Sequence, residues 1–189
     1  HGKNGTGNVD IPTCSTRKVE ETSAVDFIID CARKYGKDEL VYVPTGPSTN
    51  IDAAFAKAPD IIDNITIVMM GGSLTQPGNC NPFMEANISM DPEASNRLFA
   101  TSADITMIGL DVTMQALLTK KETQQLRDTG TKAGAFLADM TDYYIDISEQ
   151  EDPAFQGGCN LHDPLAAAVA IDPTLVTTFP INLMVETEG

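Results

Sequence analysis

Residues 65–72, Ile-Thr-Ile-Val-Met-Met-Gly-Gly, predict a buried strand that ends in a sharp turn. The first five residues are apolar or β-branched, as strands favour, and the paired glycines let the backbone leave the strand and come close to a ligand. A polar loop follows and carries Asn79, Glu85 and Asn87. Ligands of open α/β sheets lie beyond the carboxyl ends of the strands. We therefore expect this loop to form one wall of a binding site.

The order of strand, loop and helix recurs around this stretch. Asp91 is predicted to cap a helix that has Pro92 at its first position. The other predicted segments are a helix from Ser23 to Gly36, strands at 40–43 and 105–109, a helix from Ile51 to about Pro59, two helices between Lys120 and Ile147 divided near Gly130, an apolar helix opened by Pro164, and a strand or hairpin at 176–186. Strands that alternate with helices predict an α/β fold with an open, mostly parallel sheet and helices on both faces.

Length, composition and charge indicate one globular domain over residues 1–189. The chain is 42% hydrophobic and 21% charged, a balance that suits a single sizeable core. A net charge of −15 with only 12 Lys and Arg argues against nucleic acid as a partner. No stretch approaches the roughly 18 apolar residues of a transmembrane helix, so we expect no membrane partner. The four cysteines are scattered without a CxxC motif, which favours reduced thiols and a cytoplasmic location.

His162 and Asp163 are the adjacent residues that most suggest chemistry. A histidine directly before a helix start places a titratable acid beside an anionic oxygen, and both histidines of the chain lie on segments predicted to be loops. Polar residues on loops carry function more often than residues that pack a core. The alternative is that Asp163 only caps the helix that Pro164 opens, which is an ordinary way for a helix to begin. The sequence leaves both interpretations open.

Two further observations concern binding. Glu85 and Asn87 would point to the same side if their segment is extended, and they would offer an acceptor and a donor to a ligand rich in hydroxyl groups. The alternative is that both side chains are simply solvated. Thr45 follows a predicted strand, and a backbone carbonyl in that position is typical of the ligands of hard cations.

Several strings of the sequence, in order along the chain, resemble the inosine-uridine-preferring nucleoside hydrolase family. They are Pro44-Thr45-Gly46-Pro47-Ser48-Thr49-Asn50, Met70-Gly71-Gly72 with Gly78-Asn79, Glu85-Ala86-Asn87-Ile88 with Asp91-Pro92-Glu93-Ala94, Gly109-Leu110-Asp111-Val112-Thr113, and Leu161-His162-Asp163-Pro164-Leu165-Ala166. One string alone would be weak support. Together they cover nearly the whole chain and keep the family's order.

The resemblance implies an enzyme that hydrolyses the N-glycosidic bond of ribonucleosides, of the inosine and uridine type, in purine and pyrimidine salvage. It also implies a cofactor, Ca²⁺, that holds the ribose 2′- and 3′-hydroxyls and the attacking water. By position, the carboxylate of Asp163 and the carbonyl of Thr45 match ligands of this ion.

The same resemblance implies the residues that contact the substrate. The ribose hydroxyls would be bound by Asn79, Glu85 and Asn87, and Met70 would pack against the sugar. His162 matches the histidine that helps the base to leave. His1 matches the histidine of the family's His-Gly loop near the base.

The sequence departs from the family's pattern in one important respect. Family members have an N-terminal strand that ends in an Asp-x-Asp-Pro-Gly-x-Asp-Asp loop, which supplies most of the calcium carboxylates and the base that activates water, and this chain has no such stretch. We therefore expect an internal fragment of a longer protein, truncated at both ends of the fold, that alone binds the ion weakly and turns over little. For the intact protein we expect a homo-oligomer, either a dimer or a tetramer.

Other classes of function remain to be weighed. A non-catalytic nucleoside-binding or ribose-binding module would keep the sugar-binding side chains and lack the aspartate that activates water. A dinucleotide-binding domain is not favoured, because no glycine-rich turn follows a first strand with an acidic residue about 20 positions later. The chain has no Trp, which favours the base-inclusive or pyrimidine-leaning branch of the family over the branch that stacks purines between tryptophans.

Overall fold

Three parallel strands lie at the centre of the larger of two compact units. The computed structural model describes residues 1–11, 16–151 and 157–188. Contacts divide the chain into a sheet unit, Glu20–Met114 with His162–Gly189, and a helical unit, His1–Val19 with Gln115–Leu161. That residues 1–189 form a single domain stays a prediction.

The sheet of the sheet unit has the order β1-β2-β3, with β1 at Val41–Tyr42, β2 at Thr66–Met70 and β3 at Asp104–Ile108. Both pairings are parallel, and Ile67 of β2 lies opposite Tyr42 on one side and Ile105 on the other. β2 is therefore the central strand, and its run of four buried residues is typical of a strand covered on both faces.

Side chains of β2 alternate between two hydrophobic clusters. Ile67 and Met69 pack with buried residues of the helices α1 (Ala24–Tyr35), α2 (Thr49–Lys57) and α4 (Pro92–Phe99). Val68 and Met70 pack with Ile108, Leu110, Ala166 and Val169, and the last two belong to α8 (Asp163–Ile171). Since successive residues of a strand face opposite ways, helices cover both faces of the sheet. The predicted α/β class with a mostly parallel sheet is confirmed.

Helix starts follow the capping residues in the sequence. The side chain of Ser23 accepts a hydrogen bond from the Asp26 N–H at 3.1 Å, and that of Asp91 accepts one from the Ala94 N–H at 3.0 Å. Each satisfies an N–H group that has no partner within its helix. The remaining short elements of this unit are the helices α3 (Ala86–Met90) and α5 (Leu110–Thr113) and the 3-10 helices Pro59–Asn64 and Pro173–Leu175.

The helical unit contains α6 (Lys120–Asp128), α7 (Lys132–Glu151) and two antiparallel strands, β4 (Leu117–Thr119) and β5 (Gly158–Asn160). Gly130 lies between the helices with φ at +66°, a conformation that glycine adopts readily. The predicted division of this region near Gly130 is confirmed. The side chains of Thr119 and Glu122 form a capping box that starts α6.

One prediction of local structure is wrong, and one condition set by the sequence analysis is not met. Residues 176–186 form no strand in the part of the chain that the structure describes; there the N–H of Val185 donates to the side-chain oxygen of Asn96 at 3.1 Å, not to a neighbouring strand. The segment from Glu85 to Asn87 is not extended, because Glu85 is the N-cap of α3 and Asn87 lies inside that helix.

No helix within the described residues is long and apolar enough to cross a membrane. Cys31, Cys80 and Cys159 have free thiols, and Cys14 lies outside the described residues.

Candidate functional site

The three parallel strands of the sheet unit end at one edge, and backbone hydrogen bonds tie their ends together. The N–H of Met70 donates to the carbonyl of Pro44 at 3.0 Å, and the N–H of Leu110 donates to the carbonyl of Gly72 at 2.9 Å. Thr45 is exposed directly after Pro44. This carboxyl edge is where the sequence predicted a binding wall, and ligands of open α/β sheets bind at such edges.

Glu85 is the most buried acidic side chain of this edge, with 5% of its surface exposed. One carboxylate oxygen accepts hydrogen bonds from the N–H groups of Gly72 at 2.8 Å and Ile88 at 2.9 Å, and the other accepts one from the N–H of Asn87 at 2.9 Å. Glu85 therefore caps α3 and holds the turn after β2 against it. A carboxylate has about four acceptor positions, so one remains for a ligand.

Asn79 and Asn87 also hold the loop in shape. The side-chain oxygen of Asn79 accepts a hydrogen bond from the Ala86 N–H at 2.9 Å. The side-chain amide of Asn87 lies 3.1 Å from both the carbonyl oxygen and the sulfur of Met70, to which it donates. Met70 itself is 2% exposed. The four residues predicted to bind the sugar thus belong to one loop and the strand that leads into it.

His162 reaches the same edge from the start of α8. Its Nδ1 lies 2.8 Å from the hydroxyl oxygen of Thr113, the last residue of α5. Burial of the imidazole lowers the pKa of His162, and the charges of Asp163 and Glu85 raise it by less. The net shift is downward from an ordinary value near 6.5, which favours the neutral form of the ring.

Asp163 is the first residue of α8 and its side chain does not cap that helix. The N-cap position is occupied by His162, which forms no side-chain capping bond. The interpretation that Asp163 acts only as a helix cap is therefore wrong. Removal of water by surrounding protein atoms raises the pKa of Asp163; the charge of His162 opposes this rise and that of Glu85 adds to it. The charge of Glu85 therefore acts on both residues at the start of α8.

Asp111 and Thr113 are residues of this edge to which the sequence interpretation assigned no role. The carboxylate of Asp111 accepts hydrogen bonds from the N–H groups of Leu74 and Thr75, both at 2.8 Å, and from the Thr75 hydroxyl at 2.6 Å. Burial alone would raise the pKa of Asp111, but these hydrogen bonds lower it. Both residues lie in the string 109–113, one of those that resemble the family, and this resemblance is the feature of the sequence that could have identified them as site residues.

His1 belongs to the helical unit. Its ring stacks on that of Tyr144 with 5.6 Å between ring centroids and 13° between planes. The N–H of Gly7 donates to the carbonyl of His1 at 2.9 Å, so the glycine-rich start folds back on itself. The predicted role of His1 near the base stays a prediction.

The described residues do not complete a calcium site. Among them, no three or more His, Cys, Asp or Glu side chains are grouped so as to hold a metal ion. Asp163 and the Thr45 carbonyl are two candidate ligands, whereas Ca²⁺ takes six to eight oxygens. Asp163 is nevertheless suited to such a role, because its carboxylate is exposed at a helix start and does not serve as the cap.

The model of the family described as "Inosine-uridine preferring nucleoside hydrolase" matches residues 1–189. The chain is 38% identical over 190 residues to an inosine-uridine preferring nucleoside hydrolase of Leishmania major and 35% identical to uridine nucleosidase 1 of Arabidopsis thaliana. All of this chain is covered, with 59% and 55% of those proteins.

Among solved structures, the chain resembles a purine-preferring ribonucleoside hydrolase from Gardnerella vaginalis with 64% identity and a TM-score of 0.94, covering 100% of this chain and 59% of that one. It also resembles a plant nucleoside hydrolase with 35% identity and a TM-score of 0.85, covering 94% and 55%. The chain thus spans between 55% and 59% of the length of these relatives.

Proposed function

The chain belongs to the inosine-uridine preferring nucleoside hydrolase family, and from this we propose that the full-length protein hydrolyses the N-glycosidic bond of ribonucleosides to ribose and free base. The observation that carries the proposal is that Glu85 and His162 lie at the same carboxyl edge of the sheet, with Asp163 next to His162: Glu85 accepts the N–H of Gly72 after β2, and His162 contacts Thr113 at the end of α5, after β3. The group combines an anionic oxygen for a sugar, a proton-bearing ring for a leaving base and a carboxylate suited to a cation.

The sugar side of the reaction is assigned to the loop after β2. Cleavage of an N-glycosidic bond passes through a state with oxocarbenium character, so preorganised negative oxygens near the ribose stabilise the developing positive charge. Glu85 supplies such an oxygen with one acceptor position left, and Asn79 and Asn87 supply amides. We assign Met70 a contact with the sugar on the strength of the resemblance alone, because the residue is 2% exposed and its sulfur already accepts a hydrogen bond from Asn87.

The base side is assigned to His162. A departing base accumulates negative charge, and an N–H directed at it lowers the barrier to departure by hydrogen bonding or proton transfer. Burial holds the pKa of His162 below its ordinary value, which favours a neutral ring that assists the base by a hydrogen bond from its N–H and keeps its proton. We assign His1 a contact near the base, on the strength of the resemblance alone.

The calcium site is proposed only for the full-length protein. Asp163 and the Thr45 carbonyl would contribute two of its oxygens, and other segments must supply the rest. When bound, such an ion orients the ribose diol and lowers the pKa of a coordinated water. The chemistry of His162 and Glu85 described above does not depend on that assignment.

We propose that inosine is preferred over uridine. The absence of Trp favoured a pyrimidine-leaning enzyme, but a relative that is 64% identical is named purine-preferring, and this similarity carries more weight than one missing residue type. A cytoplasmic location and a homo-oligomeric state stay predictions.

A binding module without catalysis is the second candidate. It would use the same side chains of the carboxyl edge, Asn79, Glu85 and Asn87, to bind a nucleoside without cleaving it. Titration of the full-length protein with inosine separates the candidates. Binding without release of ribose would support the module and contradict the hydrolase.

The test of the hydrolase compares two leaving groups in the full-length protein. His162→Ala should slow inosine hydrolysis by about 100-fold to 1,000-fold, the usual cost of removing one preorganised hydrogen-bond donor. It should slow a nitrophenyl riboside far less, because that leaving group needs no proton. Equal losses on both substrates would remove His162 from this role.

The metal assignment is tested separately by elemental analysis. Asp163→Ala should lower the calcium retained after gel filtration. The matched control is Glu93→Ala, because Glu93 is an exposed carboxylate in the first turn of α4, beside a proline as Asp163 is. Calcium retention that is equal in both variants would contradict ligation by Asp163.

A further inference from the structure

A side-chain contact joins Thr113, at the end of α5, to His162, at the start of α8. Thr113 is fully buried, and its backbone N–H donates to the carbonyl of Gly109 at 3.1 Å, which fixes it to the turn after β3. His162 lies 49 residues away along the chain, and its ring forms no bond to its own helix. The Thr113 hydroxyl is therefore the fixed partner in this contact.

The geometry distinguishes the two ring nitrogens. Nδ1 of His162 is engaged by the hydroxyl oxygen of Thr113 at 2.8 Å, so Nε2 is the nitrogen available to a ligand. In a neutral imidazole one nitrogen carries the proton and the other accepts. Which nitrogen is protonated depends on the hydrogen bond that the other one makes.

We propose that Thr113 is a positioning residue that donates its hydroxyl proton to Nδ1 of His162, and so fixes the ring in the tautomer whose proton is on Nε2, directed to the leaving base. The proposal rests on the proposed function of His162. A hydroxyl has one proton to donate, and in this arrangement that proton is directed to Nδ1 of His162.

The opposite arrangement would leave His162 unable to assist the base. If Nδ1 carried the proton and donated it to Thr113, Nε2 would be an acceptor and would repel the electron-rich nitrogen of a departing base. Thr113 therefore affects the reaction through the tautomer and the plane of the ring. It does not need to touch the substrate.

The direct test is nitrogen-15 NMR of the histidine rings in the full-length protein at pH 8. A long-range proton–nitrogen spectrum distinguishes a protonated from a bare ring nitrogen, and the signals absent from His162→Gln identify His162. We expect Nε2 protonated and Nδ1 bare in the wild type and in Thr113→Ser. Thr113→Val should give a mixture of tautomers. A wild-type ring with its proton on Nδ1, or a Thr113→Val spectrum like the wild type, would overturn the proposal.

Kinetics supply the second measurement. Loss of an orienting partner typically costs 10-fold to 100-fold, so Thr113→Val should lower kcat for inosine by about that factor with little change in KM. The nitrophenyl riboside should be nearly unaffected, and Thr113→Ser should restore most of the rate. Equal losses on both substrates would indicate a general structural defect and contradict the positioning role.

A matched control isolates the effect of losing a buried hydroxyl. Thr123 is also fully buried and donates its hydroxyl to Asp142 at 2.6 Å. Thr123→Val should lower the melting temperature but leave the tautomer of His162 unchanged. If the wild-type protein does not hydrolyse inosine, the proposed function fails, and the NMR spectra still decide whether Thr113 sets the tautomer.

Discussion

Replacement of Glu85 by glutamine should destabilise the protein through the loop that carries the candidate sugar site. The carboxylate accepts three backbone N–H bonds, from Gly72, Asn87 and Ile88, at 2.8 to 2.9 Å. An amide has one oxygen and one NH₂ group. If its oxygen keeps the bonds to Gly72 and Ile88, the NH₂ group faces the N–H of Asn87, and two donors meet.

The magnitude follows from these contacts. Loss of one hydrogen bond to a charged acceptor costs about 1.5–3 kcal/mol, and loss of a negative charge at a helix start costs about 0.3–1 kcal/mol. We expect Glu85→Gln to lower the free energy of unfolding by about 2–4 kcal/mol. For proteins of this size and larger, about 1 kcal/mol corresponds to roughly 2–4 °C, so the melting temperature should fall by about 4–16 °C.

The assay is thermal and urea unfolding of the full-length protein, followed by circular dichroism. Glu93→Gln is the control, since it removes an exposed carboxylate from the first turn of the next helix, and exposed substitutions usually stay within about 0.5 kcal/mol. Similar melting temperatures for the two variants would refute the argument that Glu85 holds the turn after β2 against α3.

Two further predictions concern the backbone of this turn and the acid sensitivity of the helical unit. Gly72→Ala should lower the free energy of unfolding in urea by about 1–3 kcal/mol, the usual cost of a non-glycine residue held at an unfavourable φ. The φ angle of Gly72 is +80°, and an added Cβ would lie 2.8 Å from the sulfur of Met107. An unchanged urea midpoint would contradict this prediction. Burial alone would raise the pKa of Asp142, but hydrogen bonds from Thr123 and Arg127 lower it overall. The ionised side chain therefore stabilises the folded state above the unfolded-state pKa of about 3.9, and this stabilisation is lost as the pH falls through the lower folded-state pKa. Asp142→Asn should therefore reduce the steepness of stability loss below about pH 4, and parallel acid-unfolding curves would count against this.

Local patterns in the sequence were sufficient for most of the fold. The run at 65–69 predicted the central strand because a strand buried on both faces needs continuous apolar residues. Ser23 and Asp91 predicted helix starts because each side chain caps an N–H group only a few residues away. Gly130 predicted a break between helices for an equally local reason. These interactions span few residues, so sequence spacing alone reports them.

Long-range partners could not be predicted in this way. Val185 bonds to the side chain of Asn96, 89 residues earlier, and so the alternating pattern at 176–186 gave a strand prediction that was wrong. Likewise, the sequence did not reveal that the carboxylate of Glu85 accepts the N–H of Gly72, 13 residues earlier, in addition to two N–H groups of its own helix.

The sequence by itself determined the α/β class, the family and the residues from which a site could be built, because strand runs, helix caps and family strings are all local. Only the tertiary structure decided how those residues are used. It directed the carboxylate of Glu85 to backbone N–H groups, left Asp163 free of a capping role, and brought the Thr113 hydroxyl to His162. The physical reason is that a hydrogen bond needs two groups within about 3 Å, and for residues far apart in the chain only the packing of strands and helices sets that distance.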